Sequence, residues 1–255
     1  MAMSDLKPIP MQGIERILCV AAHPDDNEYG NSAAVHEWVQ AGVEVHYLQL
    51  TAGEAGMADP PEVVGPLRLQ EQRMACAAVG ASRLEVLKYQ DGVLEYSLQM
   101  RKDIARYIRQ FKPNIVVTGT GEVEAYRGLN QADHRVAFLA TIDAVRDADN
   151  TWIFRELHEN EGLEKWHTSA IISASSEQPT HYVALSQASV DAGVASLNCH
   201  KAYLAHVTGH PKPEDFIPPM LAEQGQAVGE NYAIAFRLHD MGGIAASGDE
   251  QESAV

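Results

Sequence analysis

A chain of 255 residues, 45% of them hydrophobic, has material for one large α/β domain or two small ones, and a core of that size excludes disorder as the state of the whole chain. Its 35 Asp and Glu outnumber 19 Lys and Arg, and a formal charge of -16 with no basic run argues against nucleic acid or an anionic membrane as partner. Cys19, Cys76 and Cys199 form no CxxC pair, the longest apolar run (17–22) is far short of a ~20-residue membrane span, and MAMSDLKPIPMQ lacks an apolar signal core, so a cytoplasmic protein without a disulfide framework is expected.

The first strand is predicted over residues 16–22 (RILCVAA), followed by a helix over 29–40 with Asn31 or Ser32 as its cap. Residues 43–50 (VEVHYLQL) read as a second strand, 68–79 as a helix and 84–87 as a third strand. Ser97 caps a helix over 98–111, which Lys112-Pro113 ends. A fourth strand over 115–118 (IVVT), a helix over 134–146, a strand over 170–174 and a long helix over 188–204 capped by Ser186 complete the pattern. Loops 51–66, with three Gly and three Pro, and 119–133 are long enough to be functional. This alternation predicts an α/β fold: a Rossmann-like, mostly parallel sheet with helices on both faces, three layers in all. A single domain over residues 1–240 and a flexible acidic tail over 241–255 are expected.

His23-Pro24-Asp25-Asp26 directly follows the first strand, and in open α/β sheets ligands bind outside the carboxyl ends of the strands. One turn, stiffened by Pro24, can aim an imidazole and two carboxylates at one point, with one Asp ligating a metal and the other left as a base. The bland alternative, an Asp that merely caps the next helix, is weakened by the apolar strand before it. Asp133-His134 closes the second long loop on the same side of the sheet. His134 can complete a His, Asp, His triad with an open fourth position, as in catalytic zinc sites, and Asp133 can orient a ligand from behind. Taken alone, that pair also reads as a helix cap. A GxSxG elbow, a P-loop and a full dinucleotide fingerprint are absent from the sequence.

Seven blocks together make the chain similar to the PIG-L/LmbE-like zinc-dependent N-deacetylases, which include N-acetylglucosamine-type, diacetylchitobiose and thiol-sugar deacetylases. They are AHPDDNEYG (22–30), LTAGEAG (50–56), LRLQEQRMACAAVG (67–80), YQDGVL (89–94), KPNIVVT (112–118), ADHR (132–135) and CHKA (199–202), and the resemblance runs over residues 14–205. It implies an LmbE-like fold and a Zn2+ cofactor held by His23, Asp26 and His134, with Asp25 as general base on metal-bound water. It implies a substrate contact for Arg68, which could instead be a surface helix residue. It places His200 near the site, although a satisfied core histidine fits equally, and makes Glu28 a supporting or helix-start residue. The implied activity is hydrolysis of an acetyl group from an N-acetylated sugar or related small amide, by a homo-oligomer such as a trimer or hexamer, without nucleic acid or membrane.

One departure bears on catalysis. The family's common His-Pro-Asp-His reads Gln131-Ala132-Asp133-His134 here, so the oxyanion-stabilising position holds an amide that can donate a hydrogen bond but cannot carry a proton through the cycle. Zinc lowers the pKa of water from ~15.7 to about 7, roughly 12 kcal/mol. Losing one oxyanion donor costs about 3–4 kcal/mol, so a slower or retuned enzyme is predicted rather than a dead one. Asn27, where Glu is commoner, should face away from the metal. The alternatives are an amidase for a larger acyl group, a non-catalytic zinc- or sugar-binding relative, and a facial iron triad, which the α/β pattern disfavours.

Overall fold

A computed structural model of the chain describes residues 3–125 and 128–244. In chain order it runs β1 (Lys7–Pro8), β2 (Arg16–Ala21), α1 (Asp26–Gly30), α2 (Ser32–Gln40), β3 (Glu44–Gln49), α3 (Pro61–Val79), β4 (Arg83–Val86), α4 (Leu98–Phe111) and β5 (Ile115–Thr118). It continues through β6 (Glu124–Ala125), β7 (Gly128–Leu129), α5 (Ala132–Ala148), α6 (Arg155–Glu159), β8 (Ala170–Ala174), β9 (His181–Ala184), α7 (Gln187–Leu197), α8 (Lys201–His206), α9 (Pro213–Val228) and β10 (Ala233–Asp240).

Among the described residues, eight strands form one sheet in the order β1-β9-β10-β8-β5-β2-β3-β4, and β6 and β7 pair as a separate ribbon. From β8 through β5, β2 and β3 to β4 every pairing is parallel, while β10 runs antiparallel to both its neighbours. Successive side chains of a strand face opposite ways. Ile17 and Cys19 of β2 therefore join one core, with Ala33, Trp38, Val79, Val190 and Leu221 of α2, α3, α7 and α9. Leu18 and Val20 join the other, with Met100, Ile104, Ala140 and Ala144 of α4 and α5. Burial on both faces explains why β2, β5 and β8 read as unbroken apolar runs. The three-layer, mostly parallel α/β architecture stands as the sequence predicted.

Several boundaries differ. The helix predicted over 29–40 is two helices meeting at Asn31, whose φ of -155° is not helical. α3 starts at Pro61, inside the predicted loop, because a proline at the first helical position has no needed N–H to lose. The helix predicted over 188–204 breaks at Asn198–His200 into α7 and α8. β9, α9 and β10 carry the sheet on to residue 240 and were not anticipated. Of the predicted tail, residues 245–255 lie outside the described residues.

Candidate metal centre and active-site cleft

The carboxyl ends of β2, β3 and β5 open onto one crevice. β2 lies between the other two, where the strand order reverses, which is where open α/β sheets bind ligands. The turn after β2 carries Asp25 in the left-handed region, at φ 88°. Two residues of α3 hold it there. Gln72 Oε1 accepts the Asp25 N–H at 3.0 Å, and Arg68 Nη2 donates to Asp25 Oδ1 at 2.9 Å. Arg68 is itself buried, donates to the carbonyls of Pro24 and Gly53, and lies 4.3 Å over the Tyr203 ring. Gly53 and Gly56 leave its guanidinium room, because a Cβ at either would collide with it.

His23, Asp26 and His134 come together across the crevice. His23 Nδ1 is 3.7 Å from Asp26 Oδ1, which is 3.1 Å from His134 Nε2. Ligands about 2.0–2.1 Å from a tetrahedral ion stand roughly 3.3 Å apart, so the spacing fits. The outer nitrogens are occupied. His134 Nδ1 donates to Asn130 Oδ1 at 2.9 Å, and His23 Nε2 faces Asp91 Oδ1 at 3.0 Å and Asp133 Oδ2 at 3.3 Å. Such partners fix the ring orientation of metal-binding histidines. His23, Asp91 and Asp133 are also close enough to share an ion. That group is buried, however, and Asp133 already accepts the N–H groups of Gly92 and Leu94, while Asp91 accepts that of Ala55. All three members of the first group line the open cleft, whereas Asp133 of the second does not, so the first group is the candidate centre and the second orients His23.

Electrostatics point the same way. Burial would lower the pKa of His23, but Asp26, and hydrogen bonds with Asp133, Asp26 and Asp91, outweigh it and raise the value to about 12. Asp26, Asp91 and Asp133 resist the upward push of burial because His23 holds each of them below the usual carboxylate range. The centre is short of positive charge, and its nitrogen and carboxylate donors suit a divalent cation. Asp25 behaves differently. Burial raises it to about 6 against the opposing charge of Arg68, near the operating range of a general base.

The cleft measures about 590 Å³. His23, Asp25, Asp26, Arg68, Asp91, Gln131 and His134 line its polar end, with Tyr203 against Arg68, and Tyr29, His210, Phe216 and Met220 line the rest. Gln131, the exposed residue before α5, stands at the mouth with no side-chain capping bond. Asp133 lies behind His23. His200 is not where a substrate contact requires it. It is fully buried at the α7–α8 break, with Nε2 3.5 Å from Glu28 Oε2, and bears on Asp25 only through space. Asp91, Gln72, Asn130 and Tyr203 were missed by the sequence reading, although Asp91 stood inside the YQDGVL block.

A family model described as PIG-L: GlcNAc-PI de-N-acetylase matches residues 18–145. Diacetylchitobiose deacetylase of Thermococcus kodakarensis is 32% identical over 140 residues, 53% of this chain and 51% of that protein. The chain spans about half the length of the curated relatives it matches. Among solved structures, N,N'-diacetylchitobiose deacetylase from Pyrococcus horikoshii is similar with a TM-score of 0.80 at 22% identity, covering 91% of this chain and 86% of that one. The 4-carboxy-2-hydroxymuconate hydratase of Pseudomonas putida follows at 0.73 and 17%, covering 92% and 99%. At these identities the two structures show the shared fold.

Proposed function

This chain belongs to the PIG-L family, whose model spans residues 18–145, and from that premise we propose that it is a zinc-dependent hydrolase removing an acetyl group from an N-acetylated sugar or related small amide. One juxtaposition carries the proposal: a buried carboxylate, Asp25, raised to about 6, beside three ligand atoms spaced for one cation. The named activity of the Thermococcus relative, on diacetylchitobiose, supports a sugar amide as the substrate class.

Zinc held by His23, Asp26 and His134 would supply a Lewis acid that brings the pKa of water to about 7. Asp25 takes a proton from the attacking water and returns it to the leaving amine, so the carbonyl carbon gains an oxygen, the C–N bond breaks, and acetate and a free amine leave. Arg68 and Gln72 aim Asp25. Gln131 donates from its amide to the developing oxyanion. Asp91 and Asp133 hold the His23 ring so that Nδ1 faces Asp26. An amidase for a larger acyl group is the alternative, favoured by the apolar far end of the cleft. Among the described residues no helix is long and apolar enough to cross a membrane.

The test pairs metal analysis of the purified protein with acetate release from a panel of N-acetylated sugars and small amides. Asp25→Asn should keep its zinc while turnover falls about 10²–10⁴-fold. Wild-type turnover in that variant would remove Asp25 as the base.

A further inference from the structure

We propose that the far end of the cleft is a subsite for an apolar appendage, several carbons long, carried by the substrate amide; this rests on the hydrolase proposal and extends it to a substrate class. The Tyr29 and Phe216 rings stack at 6.1 Å and 21°, and His210 meets both edge-on at 5.4 and 5.5 Å. Their polar atoms are already committed. His210 Nδ1 donates to the Pro211 carbonyl at 2.7 Å, which leaves Nε2 as an acceptor for the Tyr29 hydroxyl at 3.1 Å. A ligand therefore meets ring faces and edges, together with the thioether of Met220. The metal end, by contrast, is built from carboxylates, imidazoles and a guanidinium.

Size and continuity agree with this. Pockets of roughly 300–1,000 Å³ hold drug-sized ligands, and 590 Å³ is more than one N-acetylated sugar ring fills. Nor does the cleft end at Tyr29. A second groove of about 410 Å³ shares Tyr29, Gly30, Ser175 and Met220 with it and continues past Pro179 and Ile234. An acetyl group at the metal leaves the Tyr29, Phe216 and Met220 part of the cleft unfilled, and that part fits a chain carried by the same molecule. That chain can be an aglycone on the sugar or a longer acyl group on the nitrogen, since both present the same methylenes.

The experiment uses the zinc-loaded full chain and compares kcat/KM for N-acetylglucosamine, its octyl β-glycoside and N-octanoylglucosamine, each followed by release of the amine. One octyl compound should exceed N-acetylglucosamine at least ~10-fold, and which one does so identifies the attachment point. Phe216→Ala and, as an independent variant, Met220→Ala should abolish that gain and leave N-acetylglucosamine within about twofold. Equal kcat/KM for all three compounds, or an equal loss on all three in both variants, overturns the subsite. Calorimetric binding of the octyl glycoside and of N-octanoylglucosamine to Asp25→Asn separates the two proposals. No turnover on any compound, with one octyl compound bound at least ~10-fold tighter than N-acetylglucosamine and that preference lost when Phe216→Ala is added, keeps the subsite and removes the hydrolase. No turnover and no binding preference for either octyl compound removes both.

Discussion

Asp25 sits in a backbone state that few non-glycine residues adopt, and such states persist where surrounding contacts over-determine them. Here Gln72 holds its N–H and Arg68 its carboxylate, so strain and charge are anchored by one helix face. Burial raises the carboxylate to about 6, which sets two opposing trends. Activity needs the ionised base, so kcat/KM should rise as pH climbs toward and through about 6. Stability runs the other way: a folded pKa above the unfolded value contributes stability fully present below the unfolded carboxylate pKa of ~3.9 and lost as pH passes about 6. Arg68→Gln removes the opposing cation and should move the acid limb of kcat/KM alkaline by roughly one unit. A limb that stays in place in this variant would show that Asp25 is not the group being titrated. At this scale the sequence was most legible where chemistry is dense, as in His23-Pro24-Asp25-Asp26, whose members are neighbours in the chain. Asp91 was opaque because its role exists only through contact with His23, across two strands and three helices. His200 was misplaced for a related reason. Nothing local announces that the helix breaks at Asn198 and turns the ring inward.

At the scale of elements, legibility followed burial and length. β2, β5 and β8 are buried on both faces and announced themselves as apolar runs. β10 is buried mainly in its first half and half-buried beyond it, running antiparallel between β9 and β8, β9 has four residues, and α9 contains Pro218 and Pro219, which read as breakers. Yet α9 is a tightly fitted element. A Cβ on Gly225 would stand 2.7 Å from Cα and N of Tyr232 and 2.8 Å from the Asn231 carbonyl carbon, all backbone in the turn that leads into β10. Gly225→Ala gains about 1 kcal/mol of helix propensity, but the clash has no flexible side chain to absorb it, and overpacking of this kind costs about 1–3 kcal/mol. The variant should therefore be less stable, with a lower urea midpoint and an unchanged denaturant slope. It should also disturb the wall formed by Phe216 and Met220 on the same helix. A midpoint at or above that of the wild type would mean that the turn yields and the α9–β10 junction is looser than its geometry indicates.

Over the whole molecule, the fold by itself says little about chemistry, since a hydratase shares it with a deacetylase. What separates this chain from a generic α/β sheet is where its negative charge is concentrated. Four carboxylates, Asp25, Asp26, Asp91 and Asp133, converge on the end of β2 in a chain whose net charge is already -16. Without a cation a proton on His23 offsets part of the charge of Asp26, Asp133 and Asp91, which is why that imidazole rises to about 12 in the folded chain. The stability from this proton is full below the unfolded value of ~6.5 and is lost only as pH climbs through about 12, so at neutral pH the proton is present and must leave when a metal binds. Zinc binding at pH 7.5 should therefore release about one proton per ion, read from calorimetry in buffers of different ionisation enthalpy. Saturation at 100-fold above Kd stabilises by about 2.7 kcal/mol, which for a chain of this length raises Tm by roughly 5–10 °C. An acidic surface also collects divalent ions loosely, but such binding displaces no buried proton. His134→Ala should thus lose most of the Tm gain, whereas a full gain in that variant, or proton-neutral binding in the wild type, would move the ion away from His23, Asp26 and His134.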